Sequence, residues 1–199
     1  MESIVYIKAY NSPKIDKKEI LRYAGVGEAD EATFALLDDC IIEAEGVLTY
    51  KLCYCRFPIK IDGEEIDLGF SKVRSHSLAL CLSECDEIIA FCATCGSGLD
   101  RLIKKYSLTS PARAVMLQAI GSERVEALCD AFCGDIASEM GRDTRPRFSP
   151  GYGDLALDVQ RDIFATLDCA RKIGVSLGDN LFMTPTKSVT AIIGIKRVK

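Results

Sequence analysis

The sequence predicts an α+β fold, a single domain over residues 1–199 in which a twisted, mainly antiparallel sheet is flanked by helices. Three observations carry this reading. Helical runs with three-to-four apolar spacing are mixed with β-rich runs, without the regular strand–helix alternation of a doubly wound sheet. Asp62-Gly63, between Ile59-Lys60-Ile61 and Glu64-Glu65-Ile66, is a hairpin signal. No linker-like stretch divides the 199 residues, a length suited to one large domain or two small ones.

The elements follow in order. Asp16 is placed to cap a short helix, Lys17 to Tyr23, that stops near Gly25. A stronger helix runs from Glu31 to Glu45, with Phe34, Leu37, Ile41 and Ala44 on its apolar face and Gly46 at its end. Val47 to Lys60, rich in β-branched and aromatic residues, reads as a strand. Arg74 to Ser83 reads as a short helix and Asp86 to Ala93 as a buried strand. Thr94-Cys95-Gly96-Ser97-Gly98 breaks that strand before a helix from Leu99 to Tyr106. Ser110-Pro111 opens the longest helix, with Ser as cap and Pro in the first turn, reaching Met140 with a bend at Gly121. An irregular loop from Gly141 to Asp154 follows, then a helix from Val159 to Lys172 that ends at Gly174. Two extended runs, Asn180 to Met183 and Ser188 to Ile195, close the chain.

Composition narrows function. With 25 basic and 29 acidic residues the net charge is -4, which argues against a general polyanion binder, because non-specific nucleic-acid affinity comes from massed Lys and Arg. No apolar run reaches the 18 or so residues of a membrane span. Met1-Glu2-Ser3-Ile4 does not read as a secretory signal, so a cytoplasmic protein with reduced thiols is expected. The ten cysteines are then metal ligands, redox thiols or small core residues. Cys92-x-x-Cys95 has metal or redox spacing, but a zinc ribbon needs a second such knuckle. Cys81 and Cys85, like Cys129 and Cys133, lie four apart in predicted helices among Leu and Ala, so core packing is favoured and no metal site is assigned. Single His76 limits imidazole chemistry and reads as a helix-start or surface residue.

Three segments offer binding groups. Gly96-Ser97-Gly98 precedes a helix, but it is neither GxGxxG nor a P-loop, and a tight turn is the simpler reading. In Arg147-Phe148-Ser149-Pro150-Gly151-Tyr152-Gly153-Asp154 the Pro and Gly residues fix an open backbone. Arg147 there offers a fork for a carboxylate and Tyr152 a stacking face; the plainer alternative is a surface turn anchored by Phe148 and Tyr152. On the long helix, Val125, Leu128, Phe132 and Ile136 form an apolar stripe. Ala127, Ala131, Gly134 and Ser138 form a small-residue line beside Asp130. That carboxylate can receive an ammonium; alternatively it is a solvated acid like nearby Glu123 and Glu126.

At this loop and helix the chain resembles the C-terminal reactivation (S-adenosylmethionine-binding) domain of cobalamin-dependent methionine synthase and its stand-alone bacterial relatives. The central match is Arg-x-x-Pro-Gly-Tyr, Arg147 to Tyr152. Upstream, Ala112 to Ser122 followed by Val125-Glu126-Ala127-Leu128 looks like the helix preceding that motif, and Ala93-Thr94 like a strand-to-turn element. Downstream, Phe182-Met183-Thr184-Pro185 and Ser188-Val189 are similar to the family's Met-x-Pro and Ser-Val strand entry. The matches keep their order from about residue 78 to 194, while residues 1–75 match loosely.

The resemblance implies a methionine synthase activation domain-like fold and an accessory role in reductive methylation of cobalamin, with S-adenosylmethionine as methyl donor. It implies that Arg147 holds the ligand's carboxylate, that Tyr152 lies beside the ligand, that Asp130 faces the amino group where the family has Glu, and that Gly151 and Gly153 complete the rim. Gly153-Asp154 departs from the Pro-Ala of the full-length enzymes, and the chain ends at Lys199 where those enzymes continue. The corrinoid signature Asp-x-His-x-x-Gly is missing around His76, so cobalamin is expected on a partner, a methionine synthase core or another corrinoid protein, with a flavodoxin-type electron donor. Two other readings stay open: a docking module for a corrinoid protein that binds no S-adenosylmethionine, and a thiol-based metal or redox protein built on Cys92 and Cys95.

Overall fold

Four strands make the sheet on which the molecule is built. The computed structural model describes residues 4–198, so the reading of Met1 to Ser3 lies outside the described residues. In chain order the elements are β1 (Tyr6–Tyr10), α1 (Lys17–Tyr23), α2 (Glu31–Glu45), β2 (Tyr50–Pro58), β3 (Lys60–Asp62), β4 (Glu65–Asp67), β5 (Lys72–Arg74), α3 (His76–Cys81), β6 (Cys85–Thr94), α4 (Gly98–Tyr106), α5 (Pro111–Met140), α6 (Val159–Leu167), α7 (Cys169–Ile173), β7 (Ser176–Leu177), β8 (Met183–Thr184) and β9 (Ser188–Lys196). The main sheet has the order β1-β2-β6-β9, every pair antiparallel. A three-stranded meander β3-β4-β5 and a β7-β8 ribbon stand beside it. The α+β class with an antiparallel sheet is therefore realised.

The period-two alternation of strands sorts side chains onto the two faces of the main sheet. On β6, Ile89, Phe91 and Ala93 enter one core with Leu52 of β2 and Ala191, Ile193 and Ile195 of β9. The intervening Ile88, Ala90 and Cys92 enter the other core with Cys53, Cys55 and Phe57. The C-terminal half of α5 covers the first face through Val125, Leu128, Phe132 and Ile136, the stripe read from the sequence. Helices α6 and α7 cover the second through Val159, Ile163, Leu167 and Cys169. The N-terminal half of α5 leaves the sheet and packs instead with α1, α2 and α4 around Ile20, Leu37, Leu99, Leu117 and Ile120.

Several boundaries are corrected. Ser110 sits at the N-cap of α5 but its side chain makes no capping bond. On α2 the buried line is Leu37, Cys40 and Ala44, while Phe34 is exposed, because α4 and α5 press on one side of that helix only. The helix expected to Lys172 breaks at Asp168, whose φ is 51°. Leu167 and Cys169 are both fully buried; two positions along one α-helix point about 200° apart, so a continuous helix cannot bury both on one face. Asn180 to Phe182 is a turn rather than a strand: Phe182 N–H bonds to Asn180 Oδ1 and Gly178 N–H to the Phe182 carbonyl. Cys81 and Cys85 do not share a helix, since Cys81 ends α3 and Cys85 begins β6.

Candidate functional site

The loop from Gly141 to Asp154 is more ordered than its Pro and Gly content suggests. β9 is an edge strand, and its unpaired backbone groups need partners. The loop supplies them: Arg145 N–H bonds to the Gly194 carbonyl at 2.8 Å, and Phe148 exchanges both backbone bonds with Ile192 at 2.8 Å. In extended backbone, neighbours point to opposite sides. Phe148 packs into the α6–α7 core, and Arg147 turns the other way, towards α5.

There the Arg147 guanidinium divides between two carboxylates one helical turn apart, Nη1 donating to Asp130 and Nη2 to Glu126. Burial opposes its charge, but the Asp130 hydrogen bond and the nearby acids outweigh that and raise its pKa. The triad stands at the boundary of two hollows. One, of about 540 Å³, is lined by Asp130, Cys133, Arg145 and Arg147. The other, of about 920 Å³, lies between residues 13–19 and α5, with Glu126, Ala127, Asp130 and Ala131 as its wall. Ala127 and Ala131 of the small-residue line thus face a hollow instead of an apposed backbone; Gly134, further along, has nothing within 4 Å of a Cβ built on it.

The opposite wall is held by Glu123, which the sequence places in solvent, and by Arg124, to which the sequence assigns no role. Glu123, expected to be solvated, is 4% exposed, and Arg124 is fully buried. They pair at 2.6 Å through two bonds, and Arg124 also donates to the carbonyls of Pro13 at 2.6 Å and Lys14 at 2.8 Å. Glu123 in turn accepts from the Asp16 N–H at 3.1 Å. A signal existed. Arg124 falls in the three-to-four series Leu117, Ile120, Arg124, Leu128 on a helix buried at those positions.

The remaining expected contacts lie elsewhere. Tyr152 lines neither hollow; the residue is 71% exposed and its ring meets Phe148 edge-on at 5.6 Å. Gly151 has φ 84° and its N–H closes a turn onto the Leu155 carbonyl. Gly153, φ 56°, lies against Ser77 and Phe148. Asp154 caps α3, accepting from Ser75 Oγ at 2.6 Å and from the N–H groups of His76 and Ser77. The Ser75 bond above all holds its carboxyl well below the usual range. His76 starts α3 at the surface, as expected. The structure thus brings Arg147 and Asp130 together, and sets Tyr152, Gly151 and Gly153 in a neighbouring turn.

None of the ten cysteines forms a disulfide, and eight of them are buried. Cys92 on β6 and Cys95 just past its end enter different cores on opposite faces of the sheet. Among the described residues no three His, Cys, Asp or Glu side chains are gathered to hold a metal ion. Among them, too, no helix is long and apolar enough to cross a membrane.

No family model and no curated protein matches the sequence. Comparison with solved structures does find a match: the crystal structure of the MetH reactivation domain bound to AdoHcy, at 15% identity and a TM-score of 0.67, covering 98% of this chain and 79% of that one. The chain has the fold of that reactivation domain.

Proposed function

We propose that the chain is an accessory protein that binds S-adenosylmethionine and supports reductive methylation of cobalamin carried by a partner, a methionine synthase core or another corrinoid protein. The observation that carries this reading is the likeness over 98% of the chain to a reactivation domain holding AdoHcy, the demethylated counterpart of that donor. The Arg147–Asp130 pair adds a chemical reason. The amino-acid end of such a ligand carries an anion and a cation on one carbon. Inserted at the triad, it replaces the two ion pairs of Arg147 with pairs to its own charges: the guanidinium takes the carboxylate, and Asp130 takes the ammonium. Glu126 stays on the wall of the larger hollow as a second acid for the sulfonium. Tyr152, Gly151 and Gly153 are assigned to the rim, where the exposed ring offers a face to the ligand or to the docked partner. The bound donor supplies the methyl group, and these residues hold and orient it. The electron is assigned to a flavodoxin-type donor.

Calorimetric titration of S-adenosylmethionine into wild type, Arg147→Ala and Asp130→Asn tests the site. Losing a charge-assisted carboxylate contact costs about 1.5–3 kcal/mol, so Arg147→Ala is expected to bind roughly 10–100-fold more weakly. Unchanged affinity removes Arg147 from the site.

One observation favours a second reading. Arg147 is already satisfied by two carboxylates and Tyr152 lies outside both hollows, which suits a module that docks on the corrinoid protein without S-adenosylmethionine. Capture of a cobalt-containing partner by a chain that gives no heat with S-adenosylmethionine supports that reading over the first. The thiol-based reading gains nothing from a Cys92–Cys95 pair divided between two cores.

A further inference from the structure

A separate hollow of about 470 Å³ opens between α4, α5 and the start of β9 and shares only Tyr23 with the hollow described above. Its size falls within the range of roughly 300–1,000 Å³ typical of small-molecule sites. Its wall is mostly hydrocarbon, from Ile103, Ala114, Val115 and Ala119. Lys187 stands at one end. Its stem lies across the helix where Gly121 has no side chain; a Cβ there would come within 2.8 Å of Lys187 Cγ and Cε.

The Lys187 ammonium is held by Ser122 Oγ at 3.1 Å and makes no ion pair among the described residues. The acid whose charge reaches it, Asp100, has its two oxygens taken by the N–H of Thr186 at 2.9 Å and its Oγ1 at 2.5 Å. Burial accordingly lowers the pKa of Lys187. A half-buried cation that makes no ion pair among the described residues, at the end of an apolar hollow, is complementary to one kind of ligand.

We propose that this hollow binds a small apolar monocarboxylate, its carboxylate on Lys187 and its hydrocarbon part on Ile103, Ala114, Val115 and Ala119. The site is independent of the S-adenosylmethionine reading. Octanoate, below its aggregation concentration, is the probe, titrated calorimetrically into the full chain with octanol as the uncharged control. Octanoate is expected to bind at least about tenfold more tightly than octanol, and Lys187→Met to erase that preference. Val115 is 54% exposed, so Val115→Glu leaves the core intact. It sets a like charge on the wall and is expected to weaken octanoate severalfold while sparing octanol. Saturating S-adenosylmethionine should leave octanoate binding unchanged. The proposal is overturned by equal affinity for octanoate and octanol, by full octanoate binding in Lys187→Met, or by no binding to folded wild type.

Discussion

Arg124→Met strikes the contact that fixes one wall of the larger hollow. The guanidinium is fully buried and makes four bonds, two to Glu123 at 2.6 Å and one each to the carbonyls of Pro13 and Lys14 at 2.6 and 2.8 Å. Removing it strands the Glu123 carboxylate, which is 4% exposed. Breaking one partner of a buried ion pair costs about 3–5 kcal/mol, because the other charge is left uncompensated. Total stability for a domain is about 5–15 kcal/mol, so the loss is a large share. The double variant Glu123→Met, Arg124→Met removes both charges and should be at least about 1 kcal/mol more stable than Arg124→Met alone. Urea unfolding at neutral pH, followed by ellipticity, measures both from the shift in midpoint at unchanged slope. Because the pair also holds the backbone of residues 13–16 against α5, Arg124→Met should weaken ligand binding in the hollow as well. A single variant within about 1 kcal/mol of wild type, or a double variant as unstable as the sum of the two singles, refutes the reasoning.

Other outcomes follow from the same structure. Gly98→Ala places a Cβ into the Val47 carbonyl, a backbone contact that must give way, and should cost about 1–3 kcal/mol; Gly134→Ala meets nothing on α5 and should gain about 0.5–1 kcal/mol, both read from thermal midpoints. Asp154 titrates lower in the folded chain than unfolded, because Ser75 and two N–H groups bind its charged form. Its contribution to stability is therefore present above the unfolded carboxyl value of about 3.9 and is lost as pH falls below it. Asp154→Asn should accordingly narrow its deficit against wild type in unfolding scans from about pH 6 to pH 2, and a constant deficit contradicts the assignment. Burial pushes the Cys95 thiol up to about 12 and leaves little thiolate near neutral pH. Iodoacetamide on native protein should modify the half-buried Cys81 and Cys133 first, as mass spectrometry of the digest reads; early labelling of Cys95 contradicts its burial.

Local signals were legible where one residue type has one physical use. Asp16 at the N-cap and the hairpin signal at Asp62-Gly63 each act within a few residues: α1 and α2 fall where the sequence puts them, and β3 and β4 pair there with the turn one residue later, at Gly63-Glu64. The stripe Val125, Leu128, Phe132, Ile136 was equally readable, since it obeys the period of the helix that buries it. The break at Asp168 was not, because it answers to the need to bury Leu167 and Cys169 together, which depends on the sheet beneath them.

The sequence by itself determined the α+β class, most of the helices, and the ordered motifs that single out Arg147 and Asp130. Tertiary structure alone decided what those residues meet. The free edge of β9 draws the Arg147 loop into pairing, and the alternation of extended backbone then aims the guanidinium at α5 while carrying Phe148, and with it Tyr152, to the other side. It also decided that Glu123 and Arg124 are buried and that Lys187 makes no ion pair among the described residues. Charge patterns along a chain report solvation only until a long-range contact, such as that of residues 13–16 with α5, takes the water away.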